Sequence, residues 1–232
     1  AETIYARGNG GPDEVLFQDS AGDDLLEFFP TWARMRGDGY FHHVRGFKSM
    51  EADADLGAGG NDKVVFRGSD RNDYLKVNPY NEKLQTSVAR FLSGTGSVRH
   101  TARGFDTIVG YGRGGKQIDE LILLDTAGAD TITLFPRQAD LKAPDYGVTV
   151  TAHGFGTVEA RWTGAGNGED DLSLNDSPRM DHHDTLVGDP QQVTMSGPGY
   201  VNKAVGFPLV KAYSSGRGHD AAWFSDLNDP SD

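Results

Sequence analysis

The chain has no cysteine among its 232 residues, so it offers neither disulfides nor thiol chemistry. It has no apolar run of the ~18 residues that a membrane-spanning helix needs. No signal peptide is readable, and Ala1-Glu2 has the look of a processed terminus. Basic charge is scarce. Lysine and arginine number 22 against 34 aspartates and glutamates, for a formal net charge of −12. At that charge nucleic acid and anionic membranes are not expected partners, and an anionic polymer is an unfavourable ligand. Helical apolar periodicity is missing along every long stretch. Catalytic signatures are missing too: no H-E-x-x-H metal spacing and no G-x-S-x-G elbow occurs. Glycine is abundant, with 31 residues, as a turn-rich β fold requires.

Four Gly-Phe dipeptides organise the rest, at Gly46-Phe47, Gly104-Phe105, Gly154-Phe155 and Gly206-Phe207, spaced 58, 50 and 52 residues apart. Each precedes an apolar-x-small triplet such as Ile108-Val109-Gly110 or Val158-Glu159-Ala160, and Ile4-Tyr5-Ala6 begins the first copy. A glycine-rich turn then ends in an aspartate: Asp13, Asp62, Asp119, Asp170 or Asp220. Apolar residues follow at the second and fourth positions, as in Leu121 and Leu123. Six residues beyond the turn aspartate stands another, Asp19, Asp125, Asp176 or Asp226, with Gly68 as the exception. Asp24, Asp73, Asp130 and Asp184 introduce a second strand, and Pro30, Pro79, Pro136 and Pro190 end it. Such self-similarity over ~50 residues marks a repeat array.

The period of two within each strand predicts an all-β chain with one buried face per strand. A unit of ~50 residues holds two coils of three short strands each, which predicts a right-handed parallel β-helix of about nine coils, two per repeat. Stacking at ~4.8 Å would make a rod of roughly 40 Å. Aspartates would then stack at the turns and bond backbone N–H groups. A β-propeller, with blades of ~40–50 residues, is the alternative architecture. Residues 1–232 are expected to form a single β-helical repeat domain cut from a larger multidomain protein.

The segments "DEVLFQDSAGDDLLEFFP" (residues 13–30) and "GFDTIVGYGRGGKQIDELILLDTAGADTI" (residues 104–132) resemble the Gly-Phe-Asp and Asp-Ser-Ala-Gly-Asp-Asp long repeats of large secreted proteins of planctomycete-type bacteria. The resemblance covers nearly the whole chain and implies a secreted or cell-surface bacterial protein. It implies no activity, because those repeats mostly have no assigned one. At the level of fold, the chain also resembles the right-handed β-helices of polysaccharide lyases and epimerases, and the β-helical carbohydrate-binding modules of glycoside hydrolases.

Exposed aromatic rings are the features that suggest a ligand. Alternation points Tyr5, Tyr111, Tyr213 and Trp223 outward; Trp162 falls near the equivalent offset, and Trp32 and Tyr80 follow strand-ending prolines. Rings at regular spacing suit stacking on pyranose C–H faces, with polar neighbours bonding hydroxyls. The leading expectation is therefore a non-catalytic module binding a linear plant-type polysaccharide such as xylan or β-glucan. The alternatives are a structural or adhesive extracellular repeat, and a polysaccharide lyase or glycoside hydrolase. For the last, Lys211 with His219, Arg99 with His100, and Arg161 are the available bases, and nothing in the spacing joins them. No catalytic residue is assigned. Adjoining domains of the same polypeptide are further expected partners.

Calcium is a candidate cofactor, though not a required one. The glycine-rich aspartate turns resemble calcium nonapeptides, but they recur every ~50 residues rather than in tandem. Asp19, Asp23 and Asp24, and Asp170, Asp171 and Asp176, are the carboxylates dense enough to hold a hard cation. Asp181-His182-His183-Asp184 is also dense, but adjacent histidines on a strand face opposite ways.

Overall fold

The computed structural model describes residues 2–9, 11–54, 59–81, 83–94, 98–113, 119–164, 169–179 and 182–225. Asp181 and Asp226 lie outside them. The described residues build an all-β structure of two mixed sheets, each of 11 strands. The first unit comprises β1 (Glu2–Arg7), β2 (Glu14–Gln18), β3 (Leu25–Phe29), β4 (Trp32–Gly37) and β5 (Tyr40–Arg45). The second comprises β6 (Ser49–Asp53), β7 (Lys63–Arg67), β8 (Tyr74–Asn81), β9 (Thr86–Ser93) and β10 (Val98–Arg103). The third comprises β11 (Thr107–Tyr111), β12 (Glu120–Leu124), β13 (Thr131–Phe135), β14 (Gln138–Ala143) and β15 (Val148–His153). The fourth comprises β16 (Thr157–Arg161), β17 (Asp171–Asn175), β18 (Thr185–Asp189), β19 (Gln192–Gly197) and β20 (Tyr200–Val205). Then come β21 (Val210–Tyr213) and β22 (Ala221–Phe224).

The path alternates between sheets. β1 lies in the first sheet, β2 in the second, and β3, β4 and β5 together in the first again. A unit thus makes three sheet visits in all, and the next unit starts in the opposite sheet: β6 and the β8–β10 group in the second sheet, β7 in the first. Equal offsets in successive units therefore fall on opposite sheets. Pairing between units is parallel, as in β3 with β7, β7 with β11 and β12 with β16. Pairing inside each three-strand group is antiparallel. The sheets are thus mixed where a purely parallel stack was expected.

The physical reason lies in two-residue links. Pro30-Thr31, Pro136-Arg137 and Pro190-Gln191 join the first two strands of their groups, and Asp38-Gly39 and Pro198-Gly199 join the last two. A link this short reverses the chain within its own sheet and cannot cross to the other. Pro79 differs, lying inside β8 where the register with β9 shifts between Asn78 and Asn81. Such an irregularity tolerates its missing N–H.

Inward residues of both sheets form one core. Phe66 of the first sheet packs on Phe91 of the second at 5.6 Å between ring centres, and Phe28 stacks on His100 at 4.6 Å. The His100 Nε2 meets the Phe29 carbonyl at 3.1 Å, and burial pushes its pKa down to about 4. Two units later Asn202 occupies the matching place and donates from Nδ2 to the Phe135 carbonyl at 3.0 Å. Replacing Asn202 with leucine should strand that carbonyl and cost roughly 1–3 kcal/mol in urea denaturation. A loss below about 0.5 kcal/mol would show that the link contributes no net stability.

The repeat signature has a direct cause. Gly46, Gly104, Gly154 and Gly206 all adopt positive φ, between 77° and 83°. Each follows the last strand of its group and donates its N–H to the carbonyl of a hairpin residue: Thr31, Ser87, Arg137 or Gln191. Glycine alone takes this conformation without strain. The next residue enters the core, fully in Phe105 and Phe155 and partly in Phe47 and Phe207.

Aspartates join unit to unit. The N–H groups of Asp24, Asp73, Asp130 and Asp184 donate to carboxylates of the next unit's Asp62, Asp119, Asp170 and Asp220, at 2.8, 2.9, 3.1 and 3.2 Å. Their own carboxylates accept from the N–H groups of Ser20, Ser69, Thr126 and Ser177. Buried turn donors are thereby satisfied at the same place in each unit.

Candidate functional site

On the outer face of the first sheet, side chains from seven neighbouring strands stack into one ladder. Its order is Tyr5 on β1, His43 on β5, Trp32 on β4, Phe29 on β3, Arg67 on β7, Tyr111 on β11 and His153 on β15. Tyr5 lies 5.8 Å from His43, and His43 lies 5.2 Å from Trp32. Trp32 and Phe29 stack nearly parallel at 3.7 Å. The Arg67 guanidinium sits over Phe29 at 5.4 Å and over Tyr111 at 5.3 Å, and Tyr111 stacks on His153 at 5.5 Å. Alternation puts all seven on one face, and a strand spacing of ~4.8 Å makes the ladder roughly 30 Å long.

Its centre is a cleft of about 630 Å³ lined by Phe29, Pro30, Arg67, Gly68, Tyr111, Gly112 and Arg113. Arg67 is held from beneath. Glu27, 5 % exposed, accepts from Arg67 at 3.0 Å and pairs with Arg34. Burial opposes the Glu27 charge, but hydrogen bonds from Arg67 and Arg34 outweigh it and hold the carboxyl below its ordinary value. The guanidinium is thus fixed between two ring faces by a charge-assisted bond and by cation–π contacts.

The seven aromatic candidates divide between the sheets. Tyr5, Trp32 and Tyr111 meet in the ladder, Tyr5 being 73 % and Tyr111 38 % exposed. Tyr213, on β21, shares their sheet but lies beyond β15, β14, β13 and β17. Trp223 on β22, Tyr80 on β8 and Trp162 after β16 belong to the second sheet's side. Tyr111 and Trp162 therefore cannot share one binding row, because alternate units start on alternate sheets. Tyr80 is half-buried against Tyr146 at 4.3 Å. Sequence reading gave no ligand role to Phe29, His43, Arg67 or His153. Parity along the observed strands turns them outward, and their adjacency depends on long-range pairing.

The carboxylates that converge are Asp19, Asp24 and Asp62, and again Asp176, Asp184 and Asp220. The two groups occupy equivalent positions, and in each the following unit supplies the third member. Asp23 instead accepts from the N–H of Asn61. Asp170 serves the inter-unit ladder, and Asp171 pairs with Lys211 at 2.8 Å. Burial, with Asp19, Asp24 and Asp106 nearby, pushes Asp62 up to about 6, and burial also raises Asp176.

The other bases remain dispersed. His100 is in the core while Arg99 is exposed, Arg161 pairs with Glu159, and Lys211 is engaged by Asp171. His219 stacks on His183 at 5.5 Å. Among the described residues no helix is long and apolar enough to cross a membrane. The chain matches no protein-family model, no curated protein and no solved structure.

Proposed function

We propose that the chain is a non-catalytic carbohydrate-binding module, secreted or displayed at a bacterial cell surface, and that the outer face of the first sheet carries a linear polysaccharide. The observation behind this reading is the ladder from Tyr5 to His153 with its central cleft. Aromatic surface flanked by polar groups suits pyranose rings. A row that crosses seven strands of three units suits a long polymer better than a small ligand. The two-sheet stack is taken as a right-handed solenoid, the hand that crossovers between parallel strands adopt.

Affinity electrophoresis against a panel of polysaccharides, with assay of released products, tests this reading. One polymer should retard the chain without being cleaved. The double substitution Trp32→Ala and Tyr111→Ala should weaken retardation at least ten-fold in a folded chain, whereas Trp162→Ala should leave it unchanged. Equal losses from both variants would contradict the assignment of the face.

Calcium fits the same reading as a stabiliser. The two carboxylate triads offer hard oxygen donors, the chemistry that calcium takes. Millimolar calcium should raise the thermal midpoint at neutral pH by mass action. Asp220→Asn should remove part of that rise, and a midpoint indifferent to calcium would refute it.

A structural or adhesive repeat is the second reading. It is favoured by the exposed apolar side chains of the end strands, among them Ile4 and Phe224.

A further inference from the structure

We infer that the polymer carried by this ladder is anionic, a polysaccharide bearing carboxylate or sulfate groups, with Arg67 and Arg113 holding its acid groups beside Tyr111. The inference rests on the carbohydrate reading of the face and narrows it to one substrate class. The chain as a whole is acidic, at −12, yet charge is segregated. Outward positions of β1, β3, β4, β5, β7 and β11 carry Arg7, Arg34, Arg36, Arg45, Lys63 and Arg67. The acid among those positions is Glu27, which is buried and already engaged. Net charge, the ground on which an anionic ligand looked unfavourable, therefore misjudges this face.

Arg67 is prepared for an acceptor. One terminal nitrogen is held by Glu27, the guanidinium lies between two rings, and the side chain keeps 42 % of its surface exposed at the cleft. A planar guanidinium fixed beside an open cleft matches a carboxylate or sulfate. Arg113 adds a second positive charge to the same cleft, and its contact to the exposed Asp70, at 3.6 Å, is weak. A second cleft of about 690 Å³, lined in part by Arg7 and Arg45, lies at the corresponding ends of β1 and β5. The two clefts fall within six neighbouring strands, about 25 Å at the sheet spacing. Positive charge recurring along a line matches a repeating polyanion, whose successive units bind with a high effective concentration. The acidic remainder of the surface would orient the approach.

The experiment is affinity electrophoresis and calorimetry of the whole chain with polygalacturonate, a sulfated galactan, neutral xylan and a single-stranded polynucleotide. Each is run near the physiological ~0.15 M salt and again near ~1 M, where the screening length is about 3 Å. Polygalacturonate or the sulfated galactan should bind, which identifies the acid group, and should weaken at least ten-fold at high salt. Arg67→Gln with Arg113→Gln should weaken it ten-fold or more. Arg113→Gln alone, at an exposed side chain, should weaken it several-fold with an unchanged thermal midpoint, and it carries the test if the double variant fails to fold. Lys203→Gln, on the second sheet, should have no effect. Salt-insensitive binding of xylan alone would overturn the anionic class and leave the carbohydrate reading standing. Preference for the polynucleotide would overturn both, as would binding of no polymer.

Discussion

Replacing Gly154 with alanine is expected to destabilise the chain by about 3 kcal/mol or more. Two penalties combine. Gly154 has φ +83°, where a side chain is strained by roughly 1–3 kcal/mol. A Cβ there would also press into the Gly112 carbonyl, well inside contact distance. That obstacle is backbone from the preceding turn of the same unit and cannot rotate aside. Gly206 is the internal control. Its φ is +80°, but its nearest neighbour would be the Trp162 Cβ at 3.5 Å, an ordinary contact. Gly206→Ala should therefore show only the conformational penalty, about 1–2 kcal/mol. Urea denaturation of both variants separates the two terms through their midpoints. Equal, small losses would mean that the close approach of Gly112 and Gly154 does not constrain the fold.

Stability should fall as pH rises from 5 to 7.5, the reverse of ordinary acid denaturation. Burial pushes Asp130 up to about 6, with Asp170 and Asp125 adding repulsion, and Asp62 is raised to the same region. Burial also raises Asp73, Asp125 and Asp170. A carboxyl whose folded pKa exceeds its unfolded value holds its proton more tightly when folded. Its contribution is complete below about pH 4 and is lost as pH climbs through 6. His100, pushed down to about 4, works the other way between about 4 and 6.5, since its neutral folded form is favoured as pH rises. One histidine opposes several carboxyls, so the net slope follows the aspartates. At ~1.4 kcal/mol per pKa unit, Asp62 and Asp130 together lose roughly 3 kcal/mol over this range and His100 returns roughly 2, so the net fall should be about 1 kcal/mol. Thermal melts in EDTA should show a midpoint about 2–4 °C higher at pH 5 than at pH 7.5. Asp130→Asn should flatten the slope, because it keeps a carbonyl acceptor for Thr126 and removes the buried charge. Asp130→Ala leaves that N–H stranded and should cost roughly 1–3 kcal/mol. A midpoint rising steadily from pH 5 to 7.5 would contradict this electrostatic account.

These two predictions mark what was legible in the sequence. The Gly-Phe pairs and the aspartates at fixed offsets revealed a repeat of ~50 residues, and alternation located β2, β3, β7 and β12. The aspartate ladder was readable because its members recur at one position per unit. The meander strands were not recognised, although their turns were visible: Asp38-Gly39 between Gly37 and Tyr40 is a two-residue hairpin link. Overlooking it left the number of sheet visits per unit undetermined, and with it the rule that units alternate between sheets. That rule separates Tyr111 from Trp162 and gives Tyr111 the neighbours Arg67 and His153. Nothing local in the chain announces those contacts, since His43 and Trp32 belong to one unit while Arg67 and Tyr111 come from the next two. The converging carboxylates were half visible for the same reason. Asp19 and Asp24 are close in sequence, but Asp62 arrives from the following unit.

The most direct test of the polymer-binding face uses the three tryptophans. Trp32 lies in the ladder, and Trp162 and Trp223 lie on the side of the second sheet. A variant with Trp162→Phe and Trp223→Phe retains fluorescence from Trp32 alone, and Trp32→Phe retains the other two. Titrated with a polysaccharide that the chain binds, the first variant should change its emission and saturate at the affinity of the parent chain, while the second stays silent. Emission that changes only in the second variant would place the polymer on the other sheet and contradict the account.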